Sequence, residues 1–268
     1  MNKVYIIGVG LTKFKKPSKE NPDYPQMAKQ ATWRALHDAG INFKQIEQAS
    51  VSYVYGDSTC GQRAIYEVGL TGIPIYNVNN NCSSGSSAIH MGHSLVKGGI
   101  YNCVIAVGFE KMSRGSLTLQ FGDREAPLGP FFRKKDEWVG TPKGSEKAPW
   151  APQFFGNAGK EHMEKFGTKP KHFAKIAYKN HLHSTNNPYS QFQDYYTLSQ
   201  IEKSPTVYEF LTRLQCCPTS DGAGAVILAN KDFVIANKLE DQAIEVCGMV
   251  MMTDTMETFD DTQKSSMN

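Results

Sequence analysis

Apolar residues fall in short runs bounded by glycine, proline and asparagine, and these runs alternate with segments of helical spacing. Val4 to Gly10 is apolar and closes on glycines, which predicts a buried strand feeding a tight turn. Beyond Pro25, the residues Met27, Ala28, Ala31, Ala35, Leu36 and Ala39 recur at helical steps and stop at Gly40, a good C′ residue. The same reading predicts a strand over 49–55, a helix over 62–70 and a strand over 73–78. A helix of small residues is expected from Cys82 to Gly98, then a buried strand over 103–108. Strands alternating with helices in this way predict an α/β sheet covered on both faces.

The pattern changes near Arg114. Pro127, Pro130, Pro142, Pro149 and Pro152, with interspersed lysines and glycines, read as an irregular excursion. Two helices follow, over 158–166 with Gly167 as cap and over 170–183. Ala223 to Ala229 is again a buried strand and returns the chain to the sheet. The organisation expected is an α/β domain over 1–114 and 206–230, an insertion over 115–205, and the opening of a further unit over 231–268. That opening is a strand over 244–252 followed by a polar tail. No internal repeat is visible.

Composition narrows the class. The 268 residues carry a net charge of +3, with 40% hydrophobic and 21% charged residues, which describes a globular chain. Charge this evenly balanced excludes a nucleic-acid footprint, which needs a clustered basic face. No apolar run reaches the length of a membrane span. The stretch from Met1 to Gly8 lacks a long apolar core and a cleavage site, which argues against secretion. Cys60, Cys82, Cys103, Cys216, Cys217 and Cys247 show no CxxC spacing, so neither a metal site nor a disulfide framework is expected, and a reducing compartment is.

Candidate chemistry concentrates at Asn79-Asn80-Asn81-Cys82-Ser83-Ser84-Gly85. A strand ends at Val78, three asparagines turn the chain, and Cys82 is expected in the first helical turn, where unpaired N–H groups and the helix dipole favour a thiolate. A backbone N–H beside the sulfur would also suit a developing oxyanion. Two readings stay open for Cys82, a reactive nucleophile and a buried structural cysteine. Of the seven histidines, His37 ends an amphipathic helix, His90 and His93 lie at least two turns beyond Cys82, and His181 and His183 point about 200° apart on their helix. None is placed as the base that a cysteine nucleophile normally needs. Cys216 to Ala225 is a second small-residue segment. It reads either as a turn in which Asp221 bonds its own backbone or as a loop touching a ligand. Gly8 and Gly10 invite a dinucleotide reading, but Lys13 stands where the third glycine belongs.

Several of these segments together resemble the thiolase superfamily. They are Asn79 to Cys82, Gly56 to Ala64, Gly108 to Met112, Phe155 to Met163, Asn186 to Phe192 and Cys216 to Ala223. Within it, the chain is most similar to the 3-ketoacyl-CoA thiolases of the sterol-carrier branch. The resemblance implies a layered α/β/α/β/α fold, of which this chain holds the first half with an inserted loop domain and stops where the second half begins. It implies that Cys82 takes the acyl group from a 3-ketoacyl-CoA and hands it to free CoA. It also implies that Phe155 and Gly156 approach the substrate pantetheine, and that Cys217 and Ser220 border it. CoA and acyl-CoA are then substrates, no cofactor is bound permanently, and no metal is required.

By the same resemblance a homodimer is expected, pairing through the strand from Pro74 to Val78. The compartment implied is the peroxisome, with cytoplasm or mitochondrion as alternatives; Ser266-Met267-Asn268 is not a peroxisomal tripeptide. The family's activating histidine and second acid/base lie in motifs resembling HDCF and GHPxG, and neither motif occurs in the sequence. Acylation of Cys82 without repeated turnover is therefore expected of this chain alone. Two alternatives remain: a ketoacyl synthase-like condensing enzyme, and a non-catalytic acyl-CoA- or lipid-binding protein associated with lipid transfer.

Overall fold

The computed structural model describes residues 2–112, 121–138 and 148–259. The chain forms two compact units. The described part of Met1–Ser116 joins Thr219–Met251 in one, and the described part of Leu117–Pro218 forms the other together with Met252 onward.

The first unit is built on a six-stranded mixed sheet. Its elements are β1 (Val4–Leu11), α1 (Tyr24–Ala39), β2 (Gln48–Ser52), α2 (Cys60–Tyr66), β3 (Ile75–Val78), α3 (Ser84–Lys97) and β4 (Cys103–Glu110). After the second unit's α4 (Gly129–Trp138), α5 (Trp150–Phe166), α6 (Pro170–Ser184), α7 (Leu198–Glu202), β5 (Thr206–Tyr208) and β6 (Leu211–Thr212), the chain returns with β7 (Gly222–Asn230), α8 (Lys231–Ala236) and β8 (Ile244–Glu245). The sheet order is β3-β2-β4-β7-β1-β8. β3, β2 and β4 run parallel, so their carboxyl ends point the same way, and β7 is antiparallel to both β4 and β1.

The two faces of the sheet are covered differently. Ala49, Val51, Ile105, Val107 and Ile227 point into a large core closed by α1 and α2. The alternate residues Val4, Val104 and Leu228 meet Val96 of α3 in a smaller one. α1 begins where Asp23 caps the Tyr24 N–H at 2.8 Å with Pro25 in the first turn, and ends at left-handed Gly40, φ 67°. Its buried stripe of Ala28, Ala31, Ala35 and Ala39 lets it settle directly on β1. A Cβ at Gly10 would run into the Ala31 carbonyl and the Ala35 nitrogen. Close helix–strand packing therefore accounts for this glycine without any nucleotide.

In the second unit, α5 lies against the β5–β6 hairpin. Tyr208 is fully buried and donates from its hydroxyl to Asn157 Oδ1 at 2.8 Å. Ala174, Ala177 and Ile201 form a further small core between α6 and α7.

Several expectations need correction. The stretch between Pro127 and Pro152 contains α4 and the start of α5, because Pro130 and Pro152 sit in first turns and Pro149 at an N-cap. Proline has no interior N–H to lose there, so these prolines mark helix starts. Part of this stretch, 139–147, lies outside the described residues. β5 and β6 group with the second unit, so the return to the sheet falls at Thr219 against an expected 206. The strand expected over 244–252 is two residues long, pairing Glu245 and Ile244 with Tyr5 and Ile6. Beyond the Val246 N–H bond to the Val4 carbonyl, the apolar residues Val250 and Met252 are exposed. β2 ends at Ser52; the Tyr53 N–H still reaches the Val78 carbonyl at 3.4 Å, and beyond it Val54 and Tyr55 leave the ladder to donate to the Glu110 carboxylate at 3.1 and 2.9 Å.

Candidate functional site

Cys82 lies at the carboxyl end of the parallel strands, where β3 gives way to α3. The turn between them is fixed at nearly every residue. Asn81 is left-handed at φ 48°, a conformation asparagine tolerates better than most side chains. The Ser83 and Ser84 hydroxyls donate back to the carbonyls of Asn80 and Asn81 at 2.7 and 2.6 Å. The Asn80 N–H donates to Ser84 Oγ at 2.8 Å, and the Asn80 side-chain amide reaches one turn into the helix, donating to Ser87 Oγ at 2.9 Å. Helical geometry therefore begins at Ser84 with Ser83 as N-cap. Cys82 precedes the cap, whereas the sequence places it in the first turn. The backward bonds of Ser83 and Ser84 hold residues 80–82 in the turn and delay the helix.

The sulfur is exposed, which removes the buried structural reading. Among the described residues its polar partner is Asn81 Oδ1 at 3.9 Å, and no basic side chain is bonded to it. His90 and His93 lie on α3 beyond the first turn, and His93 is buried. Burial first, then Lys97 and His90, push the His93 imidazole below its usual range. The His162 and Phe166 rings meet at a 47° tilt with centroids 4.7 Å apart, and His181 Nε2 lies 2.9 Å from the Leu214 carbonyl. Cys217 and Cys247 are also exposed, and Cys60 and Cys103 are buried; burial pushes the Cys103 thiol far up.

The other expected site residues divide between the units. Ser220 shares the sheet unit with Cys82, whereas Phe155, Gly156 and Cys217 belong to the second unit. Phe155 is 61% exposed on α5. Gly156 faces inward: a Cβ there would come within 2.6 Å of the Tyr208 ring, so its lack of a side chain serves the packing of α5 on the hairpin.

Asp221 does not bond its own backbone as one reading of the loop has it. Its carboxylate, 1% exposed, accepts from the Met112 N–H and Asn21 Nδ2, both at 2.8 Å, from the Lys111 ammonium at 3.1 Å and from the Ser18 N–H at 3.3 Å. Burial alone would push this carboxyl up, but the four donors outweigh it and hold it below the usual range. Lys111 also donates to the Ser18 and Asn21 carbonyls at 2.6 and 2.9 Å. This knot ties the segment after β1, the end of β4 and the start of β7 into one piece directly beside Ser220. Local pattern carries no signal for the pairing of Lys111 and Asn21 with Asp221, because they stand 110 and 200 positions from it.

Among the described residues no group of histidine, cysteine and carboxylate side chains is arranged to hold a metal ion, and no helix is long and apolar enough to cross a membrane.

The fold is a mixed α/β sheet with an exposed cysteine on a turn at the carboxyl ends of its parallel strands, and comparison with known proteins gives the family. Residues 4–232 match the family model for the thiolase N-terminal domain. Sterol carrier protein 2 of Gallus gallus is 57% identical over 260 residues, covering 97% of this chain and 47% of that protein. The chain thus spans about half the length of the curated relatives it matches. Two solved structures share the fold. The Ltp2-ChsH2(DUF35) aldolase has a TM-score of 0.67 at 20% identity, over 86% of this chain and 56% of that one. Human mitochondrial 3-ketoacyl-CoA thiolase in complex with CoA has a TM-score of 0.62 at 18% identity, over 88% and 67%. The chain belongs to the thiolase family, with a thiolase-like α/β fold.

Proposed function

We propose that this chain supplies the nucleophile half-site of a 3-ketoacyl-CoA thiolase acting on branched or sterol-derived chains, with Cys82 as the acyl acceptor. The observation that carries the reading is the exposed Cys82 sulfur on a turn held by five side-chain hydrogen bonds at the head of α3. The Cys82 sulfur, giving up its proton, attacks the 3-keto carbon of the substrate; the bond between C2 and C3 breaks, and C2 takes up one proton in net exchange and leaves as acetyl-CoA, or as propionyl-CoA where C2 carries a methyl branch. The thiol of a second CoA then attacks the Cys82 thioester, releasing the shortened acyl-CoA and restoring the cysteine. CoA enters only as substrate.

Phe155, Cys217 and Ser220 are the contacts proposed for the pantetheine arm, and Gly156 supports them indirectly by seating α5 on Tyr208. A solved thiolase of the same fold holding CoA supports this substrate class. The sterol carrier name of the relatives supports a lipid setting. A peroxisomal location is part of the same proposal, to be checked by imaging the tagged chain in cells.

A second reading, acyl-CoA or lipid binding without catalysis, is favoured by the lack of a basic partner on Cys82 among the described residues. Incubation with acetyl-CoA separates the two. Peptide mass spectrometry should find stoichiometric acetylation at Cys82 that disappears in Cys82→Ala. Tight CoA binding with no adduct would leave only the second reading.

A further inference from the structure

Ser87 stands at the crossing of two bonds that the sequence did not announce. Its oxygen accepts from Asn80 Nδ2 at 2.9 Å, and its hydroxyl donates to the Met251 sulfur at 3.6 Å. A serine hydroxyl has one proton and two lone pairs. With the proton aimed at Met251, the lone pairs stay turned toward the Asn80 amide. Ser87 is 8% exposed, so water competes poorly for either bond. Asn80 in turn precedes the left-handed Asn81 and lies two residues before Cys82. The chain of contacts therefore runs from the segment after β8, through the second turn of α3, to the turn that presents the sulfur.

We infer that Asn80 and Ser87 are positioning residues for Cys82, and that Met251 orients the Ser87 hydroxyl for that task; the inference rests on the acyl-acceptor reading of Cys82. The physical case is one of leverage. The bonds made by Ser83 and Ser84 tie the turn only to the cap and the first residue of α3, whereas the Asn80–Ser87 bond reaches a full turn deeper into the helix body. Without it, the turn pivots on α3 while each local bond survives. Attack on a carbonyl needs the sulfur at a defined angle, and a displacement of about 1 Å can cost up to about 100-fold in rate. Alkylation by a small reagent needs only an exposed thiol.

That difference supplies the test. Wild type, Ser87→Ala and Ser87→Thr are compared for acetylation of Cys82 by acetyl-CoA and for its alkylation by iodoacetamide, with exposed Cys217 as internal reference. Acetylation should fall about tenfold or more in Ser87→Ala and recover in Ser87→Thr, which keeps the hydroxyl. The ratio of Cys82 to Cys217 alkylation should change less than about twofold across the series. Equal acetylation in all three proteins overturns the inference, as does a loss in which both thiols and the melting temperature change together. If wild type alkylates but never acetylates, the acyl-acceptor reading fails by itself. Positioning is then decided by amide hydrogen exchange over 80–84: faster exchange in Ser87→Ala, reversed in Ser87→Thr, retains it, and unchanged exchange sinks it.

Discussion

At the scale of single residues, buried charge is the feature with the largest consequence. Asp221 is almost fully enclosed, and its carboxylate is tolerable only because four donors surround it. Removing one partner of such a pair leaves an uncompensated charge, which typically costs about 3–5 kcal/mol. Lys111 is 24% exposed, so water recovers part of this, and Lys111→Met should lower stability by about 2–3 kcal/mol in urea unfolding. An unchanged midpoint would mean that the knot holds without its ion pair. The pH dependence has a definite sign. The folded carboxyl titrates below its unfolded value of about 3.9, so the folded state binds fewer protons, and the stabilisation present above that pH is lost as pH falls through and below it.

At the scale of elements, α3 and α1 carry the testable features. His93 is buried in α3, and burial, Lys97 and His90 all disfavour its charged form. Its folded value lies below the unfolded value of about 6.5, so protons bind preferentially to the unfolded chain. The protein should therefore lose stability as pH falls below about 6.5, and His93→Gln should flatten that loss between about pH 6.5 and 5. Parallel unfolding curves for the two proteins at both pH values would contradict it. On α1, the alanine stripe and Gly10 bring two backbones into contact, leaving no room for a methyl group. Gly10→Ala should cost about 1–3 kcal/mol, and a melting temperature within a degree or two of wild type would show that β1 and α1 can separate freely.

At the scale of the whole molecule, β3 is an edge strand in the sheet, and Tyr76 on it is 45% exposed. Open edges template pairing with another chain. A second copy docking through β3 is the proposed assembly, so light scattering should give twice the chain mass. Tyr76→Lys, which charges the edge, should shift the protein toward monomer. A monodisperse wild-type monomer would remove the proposal. Turnover belongs to this scale as well. General-base assistance contributes about 10²–10⁴-fold, and no described side chain is placed to give it to Cys82. Acetoacetyl-CoA cleavage by the 268-residue chain should stop near one equivalent in a quenched-flow assay, and sustained cycling would overturn that expectation.

Much of this protein was legible in the chain itself. Apolar runs located β1, β4 and β7, because each is a short continuous apolar stretch of strand length bounded by turn residues, and the alanine spacing with Gly40 located α1. The asparagine–cysteine turn was legible because a strand end, turn residues and small helical residues fall within ten positions. Three things were decided only by tertiary structure. Prolines that read as breakers became helix starts, since a first turn asks nothing of their missing N–H. Gly156 proved to be a packing glycine under Tyr208, 52 positions away, and Asp221 an anchor for groups as far off as Ser18. The register of Cys82 against α3 was set by Ser83, Ser84 and Ser87 bonding back across the turn. Local patterns report what a segment prefers; partners distant in sequence are chosen by the packing of the finished sheet.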